Sequence, residues 1–192
     1  MANNYTYGII GAMDNEIDTL VGDLENKKEE KKYGLTFYLG KLKKYDVVIV
    51  KCGIGKVNAG RTTQVLISEY SPKYIINTGI AGGLNQQLNI GDIVISTDLI
   101  QYDFDVTAFG YAKGYMFIGD KKEPTNYMAD KNLTEKMKKI LEKVSENRNV
   151  FTGRVGDMFI SKKEKREELV KDFDGFLLRN GRCCISPSCF IK

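Results

Sequence analysis

The stretch Tyr74-Ile-Ile-Asn-Thr-Gly79-Ile-Ala-Gly-Gly83-Leu-Asn-Gln-Gln-Leu-Asn-Ile-Gly-Asp-Ile93-Val-Ile-Ser96 decides the fold. It opens on the apolar run Tyr74-Ile75-Ile76 and closes on Ile93-Val94-Ile95. Both runs are rich in β-branched or aromatic residues, which predicts two buried strands. Between them Gly79, Gly82 and Gly83 make a loop that backbone and a small ligand could approach closely. In open α/β sheets a strand running into such a loop is the usual place for a ligand. The glycines alone favour a plain tight turn, so the rest of the chain has to decide.

Working back from Tyr74, the segment Gly53-Ile-Gly-Lys-Val-Asn58-Ala-Gly60 leads into a helix that runs to about Glu69, with Pro72 helping to end it. A strand at Tyr45–Val50, this helix and the strand at Tyr74 form a strand–helix–strand unit, which implies a right-handed parallel crossover. The glycines of 53–60 resemble a phosphate loop but match neither standard form. The third glycine is too late for a dinucleotide fingerprint, and no Ser or Thr follows Lys56 as a P-loop requires. Tyr33–Leu42 and Tyr45–Val50 read as a hairpin joined by Lys43-Lys44. Lys27–Lys32 is a mixed charge run, expected as a solvated helix end or loop. Tyr7–Gly11 is a first buried strand, followed by a helix with Ile17, Leu20, Val21 and Leu24 on one face. Glu16 then falls in the first helical turn, where the helix dipole favours a carboxylate for purely structural reasons.

Working forward, Asp103–Tyr111 interleaves carboxylates with aromatics, holds no period, and is expected as a loop. Leu133, Met137, Ile140, Leu141 and Val144 have helical spacing, and Asn149–Val155 reads as a strand. Ser161 and Glu164 have capping-box spacing before a helix to about Phe173. The expected fold is a single α/β domain over residues 1–192, a mixed central sheet flanked by helices.

Composition narrows the function classes. The 192 residues are 42% hydrophobic and 28% charged, as in an ordinary globular protein, and long enough for a substantial core. A net charge of +4, with both signs well mixed, gives no argument for nucleic acid. No apolar run reaches the length of a membrane span, and Met1–Asn4 lacks the pattern of a signal peptide, so a cytoplasmic protein is expected. Cys52 reads as a core residue. Cys183, Cys184 and Cys189 crowd the last ten residues without zinc-knuckle spacing, and the chain has no histidine. No metal and no cofactor are expected.

Taken in order, Gly8-Ile-Ile-Gly-Ala-Met13-Asp-Asn-Glu16, Gly53–Asn58, Asn77-Thr-Gly-Ile-Ala-Gly-Gly-Leu84, Ile90-Gly-Asp-Ile-Val94, Asp103–Tyr111 and Gly156-Asp-Met-Phe-Ile-Ser161 resemble one family. It is that of the 5′-methylthioadenosine/S-adenosylhomocysteine nucleosidases, within the nucleoside phosphorylase superfamily. The resemblance covers Tyr7 to about Phe173. It implies hydrolysis of the bond between adenine N9 and ribose, through an oxocarbenium-like state that needs a base for water and an acid for the leaving group. It makes Glu16 the water-activating base. It puts Met13 against the ribose, Ile54 against the thioether substituent, and Ile80, Ala81 and Gly82 on the pocket floor. Phe159 would stack on adenine and Ile160 offer it backbone hydrogen bonds. Phe109 would reach across a homodimer interface near the thioether end. Taken singly, each apolar residue or glycine among these is explained as well by a role in the core. The implied partner is a small adenine nucleoside thioether. The alternatives are a nucleoside phosphorylase of the same superfamily and a non-catalytic nucleoside-binding remnant.

The chain departs from the family pattern after Phe173. The family continues with a strand carrying Met-Glu, whose Glu holds the ribose hydroxyls, and later a Ser-Asp-x-Ala-Asp motif, whose last Asp protonates adenine N7. Here the sequence reads Asn180-Gly-Arg-Cys-Cys-Ile-Ser-Pro-Ser-Cys189. One allowed coding of that segment, AAT GGA AGG TGC TGC ATT AGC CCA AGT TGT, gives Met-Glu-Gly-Ala-Ala-Leu-Ala-Gln-Val when read one base later. A one-base slip between Gly175 and Arg179 is therefore expected, with 174–192 an aberrant tail; a natural short paralogue with an unrelated tail is the alternative. The expected consequences are loss of both acids, loss of a central strand, exposed apolar surface, poor stability and near inactivity.

Overall fold

The computed structural model describes residues 5–116, 123–145, 148–156, 163–173 and 177–178. Its contacts divide the chain into two compact units, one up to Ile80 and one from Ala81 to Gly181. The architecture is mixed α/β, with its strands paired in two five-stranded sheets and helices alongside.

The first unit runs β1 (Tyr7–Gly11), α1 (Asp14–Gly22), β2 (Glu25–Lys32), β3 (Leu35–Leu42), β4 (Tyr45–Lys51), α2 (Lys56–Tyr70) and β5 (Tyr74–Asn77). Its sheet has the order β2-β3-β4-β1-β5. β4, β1 and β5 are mutually parallel in register, with Ile9 between Ile49 and Ile76. Val47 to Val50 are all buried, the continuous apolar run that a strand covered on both faces requires. The core gathers Ile9, Ile17, Leu24, Val47 and Ile49, with Leu20 and Val21 of α1 packed on its margin. α2 buries Ala59, Thr62, Thr63, Leu66 and Tyr70, a helical stripe. It ends at Ser71 in the left-handed conformation, whose N–H donates to the carbonyl of Ile67, and Pro72 prevents continuation.

The charge run is the clear correction. Lys27–Lys32 is neither a helix end nor a loop but most of β2, the outer strand of this sheet, antiparallel to β3. An edge strand exposed along most of its length needs no apolar alternation, and Lys and Glu there oppose pairing with other chains. Tyr33, expected within the next strand, sits instead at positive φ in the tight turn between β2 and β3.

The second unit runs β6 (Gly82–Gly83), β7 (Ile93–Ile100), β8 (Tyr127–Met128), α3 (Lys131–Val144), β9 (Val150–Gly156), α4 (Lys163–Phe173) and β10 (Leu177–Leu178). Its sheet has the order β6-β10-β9-β7-β8. α3 starts at an Asp130 cap, whose carboxylate accepts the N–H of Leu133 at 2.7 Å. Leu84, Ile100, Tyr102, Leu169 and Phe173 form the core here. The expected loss of a central strand is corrected by β10, which lies between β6 and β9. Its two leucines lie inside 174–192, the segment expected to be aberrant, yet they pair with β6 and β9. The Ser161 half of the expected capping box and the tail from Arg179 lie outside the described residues, as do Phe159 and Ile160.

Candidate active site

Three parallel strands of the first unit end at one level. The N–H of Cys52, just past β4, donates to the carbonyl of Gly11, and the N–H of Thr78, just past β5, donates to the carbonyl of Ile10. The carboxyl ends of β4, β1 and β5 thus release three neighbouring segments, Cys52–Gly55, Ala12–Met13 and Thr78–Ile80. In parallel sheets this edge is where ligands bind.

Glu16 stands at the centre of this edge. Its Oε2 accepts the backbone N–H groups of Ala12 at 2.7 Å and Met13 at 3.2 Å, and its Oε1 accepts that of Ile80 at 3.1 Å. Two of these donors belong to the entry of α1, where the carboxylate satisfies N–H groups that the helix cannot. The third comes from the loop after β5. A carboxylate has about four acceptor positions, so three donors hold its orientation and leave one on Oε1 for a water or a hydroxyl. Such a group can take a proton from a water placed there.

Local packing makes the arrangement specific. A Cβ on Gly11 would lie 2.5 Å from Cγ2 of Ile17 and 3.2 Å from Cβ of Glu16, so only glycine lets α1 come this close to the strand end. Asp14 of the same turn pairs with Lys51 at the end of β4, Nζ to Oδ1 at 2.7 Å. That hydrogen bond holds the Lys51 ammonium above its ordinary pKa.

The segment after β4 is fixed by Asn58, whose Nδ2 donates to the carbonyl of Ile54 at 2.8 Å. Gly53 has φ +82, a conformation that opens the turn toward the helix. Ile54 and Ile80 are about half exposed, and Met13 is half-buried. Neither Ile54 nor Ile80 is therefore a core residue. Met13, Glu16, Ile54 and Ile80 all belong to the first unit.

In the second unit Ala81 is exposed and Gly82 is half-buried in β6. Asp103–Tyr111 is a loop, as expected, with one 3-10 turn at Thr107–Phe109. Phe109 presents its ring to solvent at 77% exposure. Phe159 and Ile160 are not among the described residues.

Sequence reasoning missed a charged pair in the second unit. Asp98, buried in β7, accepts from Nε of Arg154 in β9 at 2.6 Å and from the hydroxyl of Thr97. Arg154 also donates through Nη1 to the carbonyl of Phe173, the last residue of α4. The available signal was the polar Ser96-Thr97-Asp98 break in an apolar strand, which coincides with a register shift. Among the described residues no cluster of three His, Cys, Asp or Glu side chains could hold a metal, and no helix is long and apolar enough to cross a membrane.

The Phosphorylase superfamily profile matches residues 6–177. A 5′-methylthioadenosine/S-adenosylhomocysteine nucleosidase of Oceanobacillus iheyensis is 38% identical over 172 residues, covering 90% of this chain and 73% of the relative. The solved nucleosidase of the same name from Colwellia psychrerythraea 34H, in complex with adenine, superposes with a TM-score of 0.84 at 36% identity, over 92% of this chain and 73% of that one. The Neisseria meningitidis nucleosidase, solved with methylthio-immucillin-A, gives a TM-score of 0.83 at 34% identity, over 97% of this chain and 78% of that one.

Proposed function

Because this chain belongs to the phosphorylase superfamily, and within it to the 5′-methylthioadenosine/S-adenosylhomocysteine nucleosidases, we propose that Glu16 is the base that activates water for release of adenine. The family's reaction is hydrolysis of the adenine N-glycosidic bond. The observation that carries the assignment to Glu16 is its hold by Ala12, Met13 and Ile80, which leaves an acceptor position on Oε1. A water there gives its proton to Glu16 while its oxygen bonds to the anomeric carbon. The bond to N9 breaks, its electron pair passes to adenine, and N7 takes its proton from the Asp of the restored frame.

The substrate is an adenine nucleoside thioether. Met13 meets the ribose, Ile54 the thioether substituent, and Ile80, Ala81 and Gly82 form the floor. Phe159 stacks on adenine and Ile160 hydrogen-bonds it through its backbone. Phe109 is contributed across a homodimer. The setting is methionine salvage in the cytoplasm. The half-exposed Ile54 and Ile80 support an apolar ligand at this edge.

The ribose-holding Glu and the N7-protonating Asp belong, on this reading, to a shifted reading frame. The coincidence of Asn180–Ser188 with Met-Glu-Gly-Ala-Ala-Leu-Ala-Gln-Val one base later supports it, and 174–192 is then an aberrant tail. Nucleotide sequence from the Phe173 codon onward tests the frame: an open shifted frame ending in Ser-Asp-x-Ala-Asp and a helix is expected, and stop codons in it would overturn it. Adenine release from methylthioadenosine, with and without phosphate, tests the chemistry. The frame-restored protein is expected to release adenine at the same rate in both. 5-Methylthioribose 1-phosphate would mark a phosphorylase, and adenine binding without turnover a non-catalytic remnant.

A further inference from the structure

We propose that Lys113 is a positioning residue that docks the 103–115 loop on α4 and so fixes the presentation of Phe109. Its effect on substrate rests on the nucleosidase reading above; its effect on the loop does not.

The loop is built from several local constraints. Asp105 Oδ1 accepts the N–H of Thr107 at 3.0 Å and its hydroxyl at 2.7 Å, starting the 3-10 turn. The N–H of Gly110 closes it on the carbonyl of Thr107 at 2.9 Å. The N–H of Gly114 returns to the carbonyl of Phe104 at 2.6 Å, so the loop's two ends are joined. The rings of Tyr111 and Tyr115 stack at 4.9 Å. These bonds make the loop a compact body, and the N–H of Thr125 ties its far end to the segment before β8 by donating to the carbonyl of Gly114 at 2.9 Å.

Lys113 supplies the tie to α4. Its Nζ lies 2.6 Å from Oε1 of Glu168 and 3.9 Å from Oδ2 of Asp172, four residues apart on one face of α4. The same Nζ lies over the ring of Phe173 at 6.0 Å. The side chain is only 17% exposed, so water screens this pair less than it would a surface bridge. α4 is itself held at that end by Arg154 on the carbonyl of Phe173 and by the burial of Leu169 and Phe173. Lys113 therefore anchors the loop to the best-fixed turn of the helix. A rigid loop that presents an exposed aromatic ring pays little ordering entropy when that ring is buried by a ligand or a partner. Lys113 acts through the loop.

The experiment is hydrogen–deuterium exchange on the full chain, comparing Lys113→Met, Lys113→Arg and the swap Lys113→Glu with Glu168→Lys. Lys113→Met keeps the aliphatic stem and removes the charge. The amides of Phe109, Gly110 and Gly114 are expected to exchange roughly tenfold faster in it, while those of β1 and β4 stay unchanged. Lys113→Arg and the swap are expected to restore protection. Unchanged exchange at Gly110 and Gly114 in Lys113→Met, or failure of both rescues, would overturn the proposal. If all amides accelerate together, Lys113 is a general stability residue and the proposal also fails. Calorimetry on the same substitutions in the frame-restored protein adds a ligand arm, with methylthioadenosine binding expected to weaken several-fold in Lys113→Met and adenine, which lacks the thioether end, to bind equally. If the frame-restored protein without substitution binds neither ligand, the nucleosidase reading fails while the exchange result still decides the role of Lys113.

Discussion

Oε1 of Glu16 accepts the backbone N–H of Ile80 at 3.1 Å, across 64 residues of sequence. The bond joins the start of the first helix to the loop after β5. Its consequence for substitution is specific. In Glu16→Gln one oxygen becomes an NH2 group, which cannot accept. At least one of the Ala12, Met13 or Ile80 N–H groups then faces another donor. With the amide oxygen kept on Ala12 and Met13, the NH2 group faces the Ile80 N–H, which is open to water, so the loss in urea unfolding of the chain as it stands is expected to stay near the ~0.5–1.5 kcal/mol of one hydrogen bond. Adenine release by the frame-restored protein is expected to fall about 100- to 10,000-fold, the usual worth of a general base. Turnover at the unmutated rate would return Glu16 to a structural role.

Gly11→Ala tests the same site through its packing. The added methyl would sit 2.5 Å from Cγ2 of Ile17, a buried residue that cannot retreat without opening the core of the first unit. Overpacking of this kind costs about 1–3 kcal/mol. Because the methyl also meets Cβ of Glu16 at 3.2 Å, the carboxylate shifts with the helix. A lowered urea midpoint with an unchanged slope is the expected result, together with faster exchange of the Ile80 amide. Wild-type midpoint in Gly11→Ala would show that α1 can stand further from β1.

Most elements could be read from the sequence because one period governs each of them. Val47–Val50 and Ile93–Ile95 are plain apolar runs, and α3 repeats at helical spacing from Leu133 to Val144. β2 failed for a physical reason: an edge strand needs no apolar face, so Glu25–Lys32 carries no pattern to read. Glu16 is singled out by the family resemblance, its place at a helix start having a purely structural account; its clamp is not legible, since its donors are backbone N–H groups and one is remote. Asp98 and Arg154 are 56 residues apart and meet only through strand pairing, which no local pattern encodes. Phe109 was legible as a loop aromatic; the Lys113 anchor beneath it was not.

Alkaline pH should expose the contact between α2 and the charged edge strand. Burial first, and then the hydrogen bond from its hydroxyl to Glu30 at 2.9 Å, hold the Tyr70 phenol well above its ordinary pKa. A raised pKa in the folded state means that the folded chain holds this proton more tightly. The stabilisation is complete below the unfolded pKa of about 10 and is lost as pH rises beyond it. Thermal unfolding between pH 8 and 12 is expected to show a decline that begins near pH 10. Tyr70→Phe should start from lower stability, having lost the hydrogen bond, and decline less steeply. Parallel curves for the two proteins would remove Tyr70 from the alkaline transition.

The Asp98–Arg154 pair makes the sharpest stability prediction, because the two partners differ in burial. The Asp98 side chain is 9% exposed, that of Arg154 29%, and the gap between Nε and Oδ2 is 2.6 Å. Removing the arginine in Arg154→Met strands a carboxylate inside the sheet, with the Thr97 hydroxyl still donating to it. It also frees the Phe173 carbonyl at the end of α4. Breaking a buried pair from one side costs about 3–5 kcal/mol. Asp98→Asn leaves an acceptor oxygen for Arg154 and a less buried cation, so its loss should be smaller. The double substitution Asp98→Asn with Arg154→Met removes both charges and should cost less than the sum of the two. A double-mutant cycle by urea unfolding measures the difference, and a coupling of at least ~1 kcal/mol is expected for groups in direct contact. Purely additive losses would mean that the pair contributes no mutual stabilisation, and that Arg154 matters only through the Phe173 carbonyl.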